Sequence, residues 1–147
     1  MTEQTTERST DTNAAAVVEK YLYALRDEDF DTVESLMADD MLYENAGYTR
    51  MRGGRRIAKL FRGMQRPSLG FDVKFHRNVA DGHTVLNERT DVLIFGRVRV
   101  VVAVCGVFEV HEGRITLWRD YVDMFDMTKA LVRGLAGAVV PALARKF

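Results

Sequence analysis

Two short segments place charged side chains inside apolar, strand-like stretches of this chain. Arg89 and Asp91 lie two residues apart, and Asp120 lies within the segment 118–123. Because burying a charge in a strand is costly unless it is paired, these residues suggest chemistry rather than packing. A guanidinium can hydrogen-bond two carboxylates at once, and in an apolar pocket one acid keeps a proton while the other stays ionised. Such a pair can protonate an oxygen leaving group and deprotonate water.

An ion-pair network that holds the sheet together is the alternative, since salt-bridged strands are common. The choice between these two interpretations depends on the strand register, because the register decides whether Asp120 shares a face with Arg89. A two-residue loop between the last two strands puts Asp120 opposite Cys105, and a three-residue loop centred on Gly96 puts Arg89 opposite Ala103, on the same face. A two-residue loop at Gly96 would shift the parity and separate the charges.

Hydrophobic periodicity predicts the elements that must position these side chains. Residues 1–12 are polar and predict a flexible tail, and residues 13–147 predict a single domain. Four helices are predicted: one that begins near residue 13, one that begins near residue 31, and two that span 55–65 and 127–147. The predicted strands are 41–46, 69–79, 83–95, 97–110 and 114–123. Helices followed by an antiparallel meander indicate an α+β fold. We expect a curved mixed or antiparallel sheet wrapped around the N-terminal helices as a cone with an internal pocket.

Composition excludes several classes of protein. Lysine plus arginine and aspartate plus glutamate each number 21, so the chain lacks the basic excess of a nucleic-acid binder. The stretch 50–66 is basic and could attract an anionic lipid or nucleic acid, but a solvated helix face is its favoured interpretation. No segment is long and apolar enough to span a bilayer, which predicts a cytoplasmic protein. Cys105, the single cysteine, is expected to be buried, and His76, His83 and His111 lack ligand spacing, so we predict no metal and no cofactor.

Several motifs occur together in an order that is specific. They are a Tyr-x-Asn pair at Tyr43 and Asn45, an Arg-x-Asp pair at Arg89 and Asp91, and Trp-Arg-Asp-Tyr at 118–121. On these motifs the chain resembles the limonene-1,2-epoxide hydrolase family over roughly residues 13–128. That family has a cone-shaped fold similar to the nuclear transport factor 2 (NTF2) and ketosteroid isomerase group, also described as cystatin-like.

The resemblance implies an epoxide hydrolase, an ether-bond hydrolase that acts in one step without a covalent intermediate. Asp120 is then the base, with Tyr43 and Asn45 helping to hold the attacking water. Asp91 protonates the epoxide oxygen, and Arg89 bridges the two acids. The partners implied are a small epoxide, water and a second copy of the chain in a homodimer.

Apolar side chains near these residues are the candidate walls of the pocket: Leu36, Phe71, Phe75, Leu93, Phe95, Trp118 and Val122. They favour a hydrophobic substrate such as a lipid, sterol or terpenoid-like epoxide. Two alternatives remain open, namely an isomerase or dehydratase of the ketosteroid isomerase type and a noncatalytic carrier of hydrophobic ligands. Arg89 between two acids argues against the carrier, and the Tyr43 and Asn45 pair argues for water chemistry.

Overall fold

The computed structural model describes the backbone of residues 2–147 and the side chains from residue 13 onward. This part of the chain holds four α-helices and six strands. Their bounds are α1 Thr2–Arg26, α2 Phe30–Ser35, β1 Met37–Asn45, β2 Thr49–Arg52, α3 Gly54–Gly63, β3 Leu69–Asp81, β4 Thr84–Phe95, β5 Val98–His111, β6 Arg114–Tyr121 and α4 Met124–Val139, with a 3-10 turn at Pro141–Leu143.

The six strands form one mixed sheet in the order β2-β1-β6-β5-β4-β3. Strands β1 and β6 pair in parallel, and every other neighbouring pair is antiparallel. Helices α1, α2 and α3 pack against this sheet, and α4 packs against β5. The predicted α+β fold, with a mixed sheet around the N-terminal helices and an antiparallel meander from β3 to β6, is confirmed.

A core of aliphatic and aromatic side chains joins the N-terminal helices to the sheet. Val18, Tyr21 and Leu22 of α1 are fully buried against Phe108 of β5 and Trp118 of β6. The Trp118 ring meets the Tyr21 ring edge-on at 5.4 Å and stacks on the Phe108 ring at 5.7 Å. This packing holds the indole, and with it the end of β6, in one orientation.

The turn between β4 and β5 differs from the prediction. It has two residues, Gly96 and Arg97, rather than three, and Gly96 has a φ of +61°, which suits a tight hairpin turn. Arg89 therefore lies opposite Val104 instead of Ala103. By itself this one-residue slip would turn Arg89 away from Asp120.

A β-bulge at Thr116 in β6 reverses the effect of that slip. The hairpin starts in the predicted register, but the bulge moves Asp120 opposite Gly106 instead of Cys105. Gly106 lies two residues from the partner of Arg89 on β5, so it is on the same face. Two register errors in the prediction thus cancel, and Arg89 and Asp120 point into the same space.

Three smaller predictions have different outcomes. Cys105 is exposed, because it lies on the opposite face of β5 from Gly106, so the expected burial was wrong. The last helix begins at Met124, since the Asp123 side chain accepts hydrogen bonds from two backbone N–H groups of its first turn. Helix α1 begins at Thr2, within the segment 1–12. The side chains of that segment lie outside the described residues, and its flexibility stays a prediction.

Among the described helices, none is long and apolar enough to cross a membrane.

Candidate active site

Arg89 of β4 is fully buried, with 0% of its surface exposed. Its Nε donates to Asp91 Oδ1 at 2.9 Å, and its Nη2 donates to Asp91 Oδ2 at 3.1 Å. Nη2 also donates to Asp120 Oδ2 at 2.6 Å, and Nη1 donates to Asn87 Oδ1 at 2.8 Å. The side chain is therefore held from three sides, and the two carboxylates are fixed relative to each other.

Asp120 of β6 accepts a second hydrogen bond from an aromatic donor. The indole Nε1–H of Trp118 donates to Asp120 Oδ1 at 2.7 Å, while Oδ2 takes the guanidinium. Residues 118 and 120 share one face of the strand, which makes this contact local. Both oxygens of the carboxylate are thus oriented by N–H donors.

Two residues that the sequence analysis did not assign complete the surroundings of Arg89. Asn87 is buried with Arg89 and Asp91 on the same face of β4, and its Nδ2 has no partner among the described atoms. At Gly106, an added Cβ would lie 2.3 Å from Arg89 Nη1 and 2.6 Å from Asn87 Oδ1. The guanidinium therefore occupies the space that a side chain at position 106 would fill. The sequence signal for this contact was a glycine inside an apolar strand, because such a glycine often marks the close approach of another group.

Tyr43 and Asn45 lie on β1, next to the end of β6. The parallel register pairs Tyr43 with Trp118 and Asn45 with Asp120, so these side chains are lateral neighbours on one face. Asn45 Nδ2 donates to Tyr43 Oη at 3.2 Å and to Thr49 Oγ1 at 3.1 Å. The structure thus brings the predicted pair beside Asp120, hydrogen-bonded to each other rather than to the carboxylate.

Burial and neighbouring charges shift the titration of these groups. Burial, with a smaller contribution from the negative charge of Asp120, raises the pKa of Asp91 to about 6, although Arg89 opposes the shift. Burial lowers the pKa of Arg89, but its attraction to Asp120 and Asp91 outweighs this and leaves the pKa raised. Burial, followed by the charge of Asp120, also raises the pKa of Tyr43. Near neutral pH the site holds a fixed cation, a neutral phenol and an Asp91 that exchanges its proton.

A cavity of about 430 Å³ opens onto this site. Tyr43, Asn45, Asp91 and Asp120 all line it, whereas the buried Arg89 lies behind the two carboxylates. Five of the predicted wall residues line the cavity as well: Phe71, Leu93, Phe95, Trp118 and Val122. The acids therefore face a largely apolar space.

Leu36 and Phe75 do not line the cavity, so this part of the wall prediction was wrong. Leu36 caps the end of α2, and its backbone oxygen accepts a hydrogen bond from Ile115. Phe75 lies beside Arg89 in the β3–β4 register, but the Tyr23 ring covers it edge-on at 5.6 Å. Both side chains pack against the core.

Comparisons with known proteins show what this chain is similar to. The family model described as the limonene-1,2-epoxide hydrolase catalytic domain matches residues 12–133. Epoxide hydrolase EphG of Mycobacterium tuberculosis is 60% identical over 126 residues, which cover 86% of this chain and 84% of that protein. The solved structure of an M. tuberculosis LEH-like epoxide hydrolase is 57% identical and has a TM-score of 0.90, with 93% of this chain and 97% of that chain covered.

A more distant structure shows the fold alone. An NTF2-like protein of unknown function from Cytophaga hutchinsonii is 18% identical with a TM-score of 0.64, over 78% of this chain and 94% of that chain. The expected NTF2-like architecture is confirmed by this likeness. From the family match over residues 12–133 and the 60% identity to an epoxide hydrolase, this chain belongs to the limonene-1,2-epoxide hydrolase family.

Proposed function

We propose that this protein adds water to an apolar epoxide in one step and releases a vicinal diol. Asp91 acts as the general acid, Asp120 acts as the general base, and Arg89 bridges them. One observation carries the proposal: a single buried guanidinium is hydrogen-bonded to two carboxyl groups that both face the same cavity. This arrangement presents a proton donor and a proton acceptor to one bound molecule.

Asp91 has the properties that the acid needs. Its pKa of about 6, raised by burial, keeps part of the population protonated near neutral pH. Its 6% exposure faces the cavity, so the proton is available to a bound oxygen. The rate should therefore fall as the pH rises above about 6, because the acid is then ionised.

Asp120, Tyr43 and Asn45 surround a position suited to the attacking water. Water can donate its hydrogens to the Asp120 carboxylate and to Asn45 Oδ1, and accept the hydroxyl hydrogen of Tyr43. The hydroxyl hydrogen of Tyr43 is available for that bond, because in its contact with Asn45 the tyrosine oxygen is the acceptor and Nδ2 is the donor. The raised pKa of Tyr43 keeps the phenol neutral, as this role requires. One lone pair of the water is then left to attack a ring carbon.

The chemical step balances without a further reactant. The water oxygen forms a bond to one ring carbon as the bond from that carbon to the epoxide oxygen breaks. The epoxide oxygen takes the proton of Asp91, and Asp120 takes a proton from the water. Transfer of one proton from Asp120 back to Asp91 restores the enzyme. Ring strain lowers the barrier, so positioned acid and base groups suffice.

The apolar walls favour a lipid, sterol or terpenoid-like epoxide as substrate. A cavity of about 430 Å³ accepts a molecule of that size, and its aromatic and aliphatic lining offers few polar anchors away from the site. We also expect the protein to be a homodimer, which a concentration series in sedimentation velocity tests.

Single-turnover labelling tests the one-step mechanism. The enzyme, in excess over a panel of apolar epoxides, is mixed in oxygen-18 water, and the diol of the first turnover is analysed by mass spectrometry. We expect label in that first diol, because the new oxygen comes directly from water. An unlabelled first diol would mean that a carboxylate oxygen was transferred through a covalent ester, and the proposal would be wrong.

Three matched variants test the assigned roles. Asp120→Asn and Asp91→Asn should each lose turnover while the folded circular dichroism spectrum is retained. Asp39→Asn alters an exposed carboxylate on the same strand as Tyr43 and should keep full activity. Undiminished turnover in either of the first two variants would contradict the role given to that residue. Binding of epoxides without any diol would favour the carrier, and solvent deuterium uptake beside a ketone would favour the isomerase.

A further inference from the structure

Large apolar side chains surround the mouth of the catalytic cavity and stand in solvent. Tyr48, Met64, Phe95 and Met124 line the cavity and are still 44–60% exposed, and the adjacent Phe125 is 72% exposed. These five residues, here called the rim, come from four separate parts of the chain. Apolar side chains gathered at one opening are typical of an interaction surface rather than of scattered surface exposure.

Basic residues accompany the rim at each of these places. Arg50, Arg66 and Arg97 each follow a rim residue by two positions, and Lys129 lies over the Phe125 ring at 4.9 Å. Among the described side chains, Arg66 and Arg97 form no ion pair, Arg50 lies 3.8 Å from Glu44, and Lys129 pairs with Asp126 at 2.6 Å. Two guanidinium groups at the mouth are thus available to anions.

The acids near the mouth are mostly occupied. Asp126 pairs with Lys129, Asp123 caps α4, and Glu44 accepts from Arg119 at 2.7 Å. Glu28, which lines the cavity, and Asp123 have no ion pair among the described residues. The bases named around the rim outnumber the acids by one, so the net charge there is positive, and Glu44 is shared between two bases, Arg50 and Arg119.

We propose that the rim docks on the surface of an anionic lipid bilayer, from which an apolar substrate passes directly into the cavity. Aromatic and methionine side chains enter the boundary between headgroups and acyl chains, and Arg66 and Arg97 contact lipid phosphates. The reason for docking rests on the proposed function, since an apolar epoxide concentrates in membranes. The docking itself rests on the exposed apolar ring and its interleaved bases.

A second copy of the chain is a poorer occupant of the same surface. In a two-fold dimer each patch faces its own equivalent, so the unpaired arginines would approach the same basic rim. Such contact would also cover the mouth of the cavity. A bilayer instead supplies phosphates to the bases and apolar chains to the rim.

Vesicle binding tests the proposal. The full chain is sedimented with phosphatidylcholine vesicles and with vesicles of phosphatidylcholine and phosphatidylglycerol at three to one. We expect binding to the anionic vesicles that weakens as salt is raised. The Arg66→Glu/Arg97→Glu double variant should bind at least about 25-fold more weakly, at about fivefold for each base removed. Phe125→Ser should weaken binding roughly tenfold.

Two control variants alter matched residues away from the mouth. Leu86→Ser changes a 50% exposed apolar side chain on the face of β4 opposite Asn87, and Arg114→Glu reverses a base at the far end of β6, which has no described ion pair. Both should bind vesicles like the wild-type protein. Equal binding of wild type and rim variants, or equal loss in the controls, would overturn the proposal. A change in oligomeric state of Phe125→Ser without lipid would assign the rim to a second copy, which also overturns it.

Activity without lipid separates this proposal from the proposed function. Phe125, Arg66 and Arg97 do not line the cavity, so their variants should hydrolyse a small water-miscible epoxide at the wild-type rate. Vesicle binding by a protein that hydrolyses no epoxide would refute the proposed function and leave the docking intact. Full epoxide turnover without salt-sensitive vesicle binding would refute the docking and leave the proposed function intact.

Discussion

Replacing Gly106 with alanine is the sharpest test of how Arg89 is positioned. The new Cβ would lie 2.3 Å from Arg89 Nη1, 2.6 Å from Asn87 Oδ1 and 2.9 Å from Phe108 Cε2. Ordinary contact between carbon and these atoms requires about 3.5 Å, so the guanidinium must move by about 1 Å. Flexible side-chain ends normally move at little cost, but these atoms are buried and hydrogen-bonded to each other.

The magnitude follows from what that displacement breaks. Moving Nη1 away from position 106 disturbs its 2.8 Å bond to Asn87 and the 2.6 Å bond between Nη2 and Asp120. Hydrogen bonds to charged groups contribute about 1.5–3 kcal/mol each, and overpacking a core costs about 1–3 kcal/mol. Because the two bonds are weakened and not lost, overpacking is the larger cost, and we expect the free energy of unfolding to fall by about 2–4 kcal/mol. A displacement of about 1 Å at the bridging residue should lower kcat by about 100-fold.

Denaturant unfolding and steady-state hydrolysis of an epoxide that the wild-type protein accepts measure the two effects. Gly63→Ala is the matched control, because nothing lies within 4 Å of the Cβ added there. That control should be neutral or stabilised by up to about 1 kcal/mol, since alanine favours a helix over glycine. If Gly106→Ala kept the wild-type kcat and stability, the close packing around Arg89 would have no role in the site.

Three further predictions concern the same network. Arg89→Lys keeps the charge but replaces the planar guanidinium with one ammonium group. We expect kcat to fall at least about 100-fold and the free energy of unfolding, measured in denaturant, to fall by about 3–5 kcal/mol. Activity near the wild-type level would contradict the bridging role. Trp118→Phe keeps the aromatic packing but removes the N–H that donates to Asp120. Stopped-time assays should show kcat lowered roughly 10- to 100-fold with KM little changed. A change in KM alone would mean that Trp118 acts only as a wall of the cavity. The pKa of Asp91 is about 6 in the folded protein against an ordinary 3.8, so the folded state binds more protons in that range. The free energy of unfolding should therefore fall by about 2 kcal/mol as the pH rises from 4 to 6. This slope should vanish in Asp91→Asn, and a slope unchanged in that variant would mean that another group titrates.

The elements and the acidic and basic residues of the site were predictable from local sequence. Alternation of apolar and polar residues defines which segments are strands, and the hairpin signals at Gly96 and Gly113 fall where the structure turns. Arg89 and Asp91 share a face in any strand, because side chains two residues apart point the same way. Their contact, 2.9 Å from Nε to Oδ1, is therefore a local consequence of the sequence.

The approach of Asp120 was decided by tertiary structure. The β4–β5 turn is one residue shorter than expected, and the bulge at Thr116 shifts the next strand pair by one residue, so that Asp120 still meets Arg89. Each one-residue slip exchanges the two faces of a strand relative to its neighbour. The alternation of apolar and polar residues along the strand is the same in either register, so it cannot reveal the slip. Only packing against the neighbouring strands selects between the two registers.

The sequence by itself determined the fold class, the strands and the identity of the charged residues, because these depend on side-chain period and on the cost of burying charge. Tertiary structure alone decided that Gly106 leaves room for the guanidinium, that Asn87 binds it, and that Leu36 and Phe75 lie in the core instead of the cavity wall. These facts depend on distances between elements far apart in the chain. No local pattern carries such distances, since they result from how the sheet curves and which helix covers each part of it.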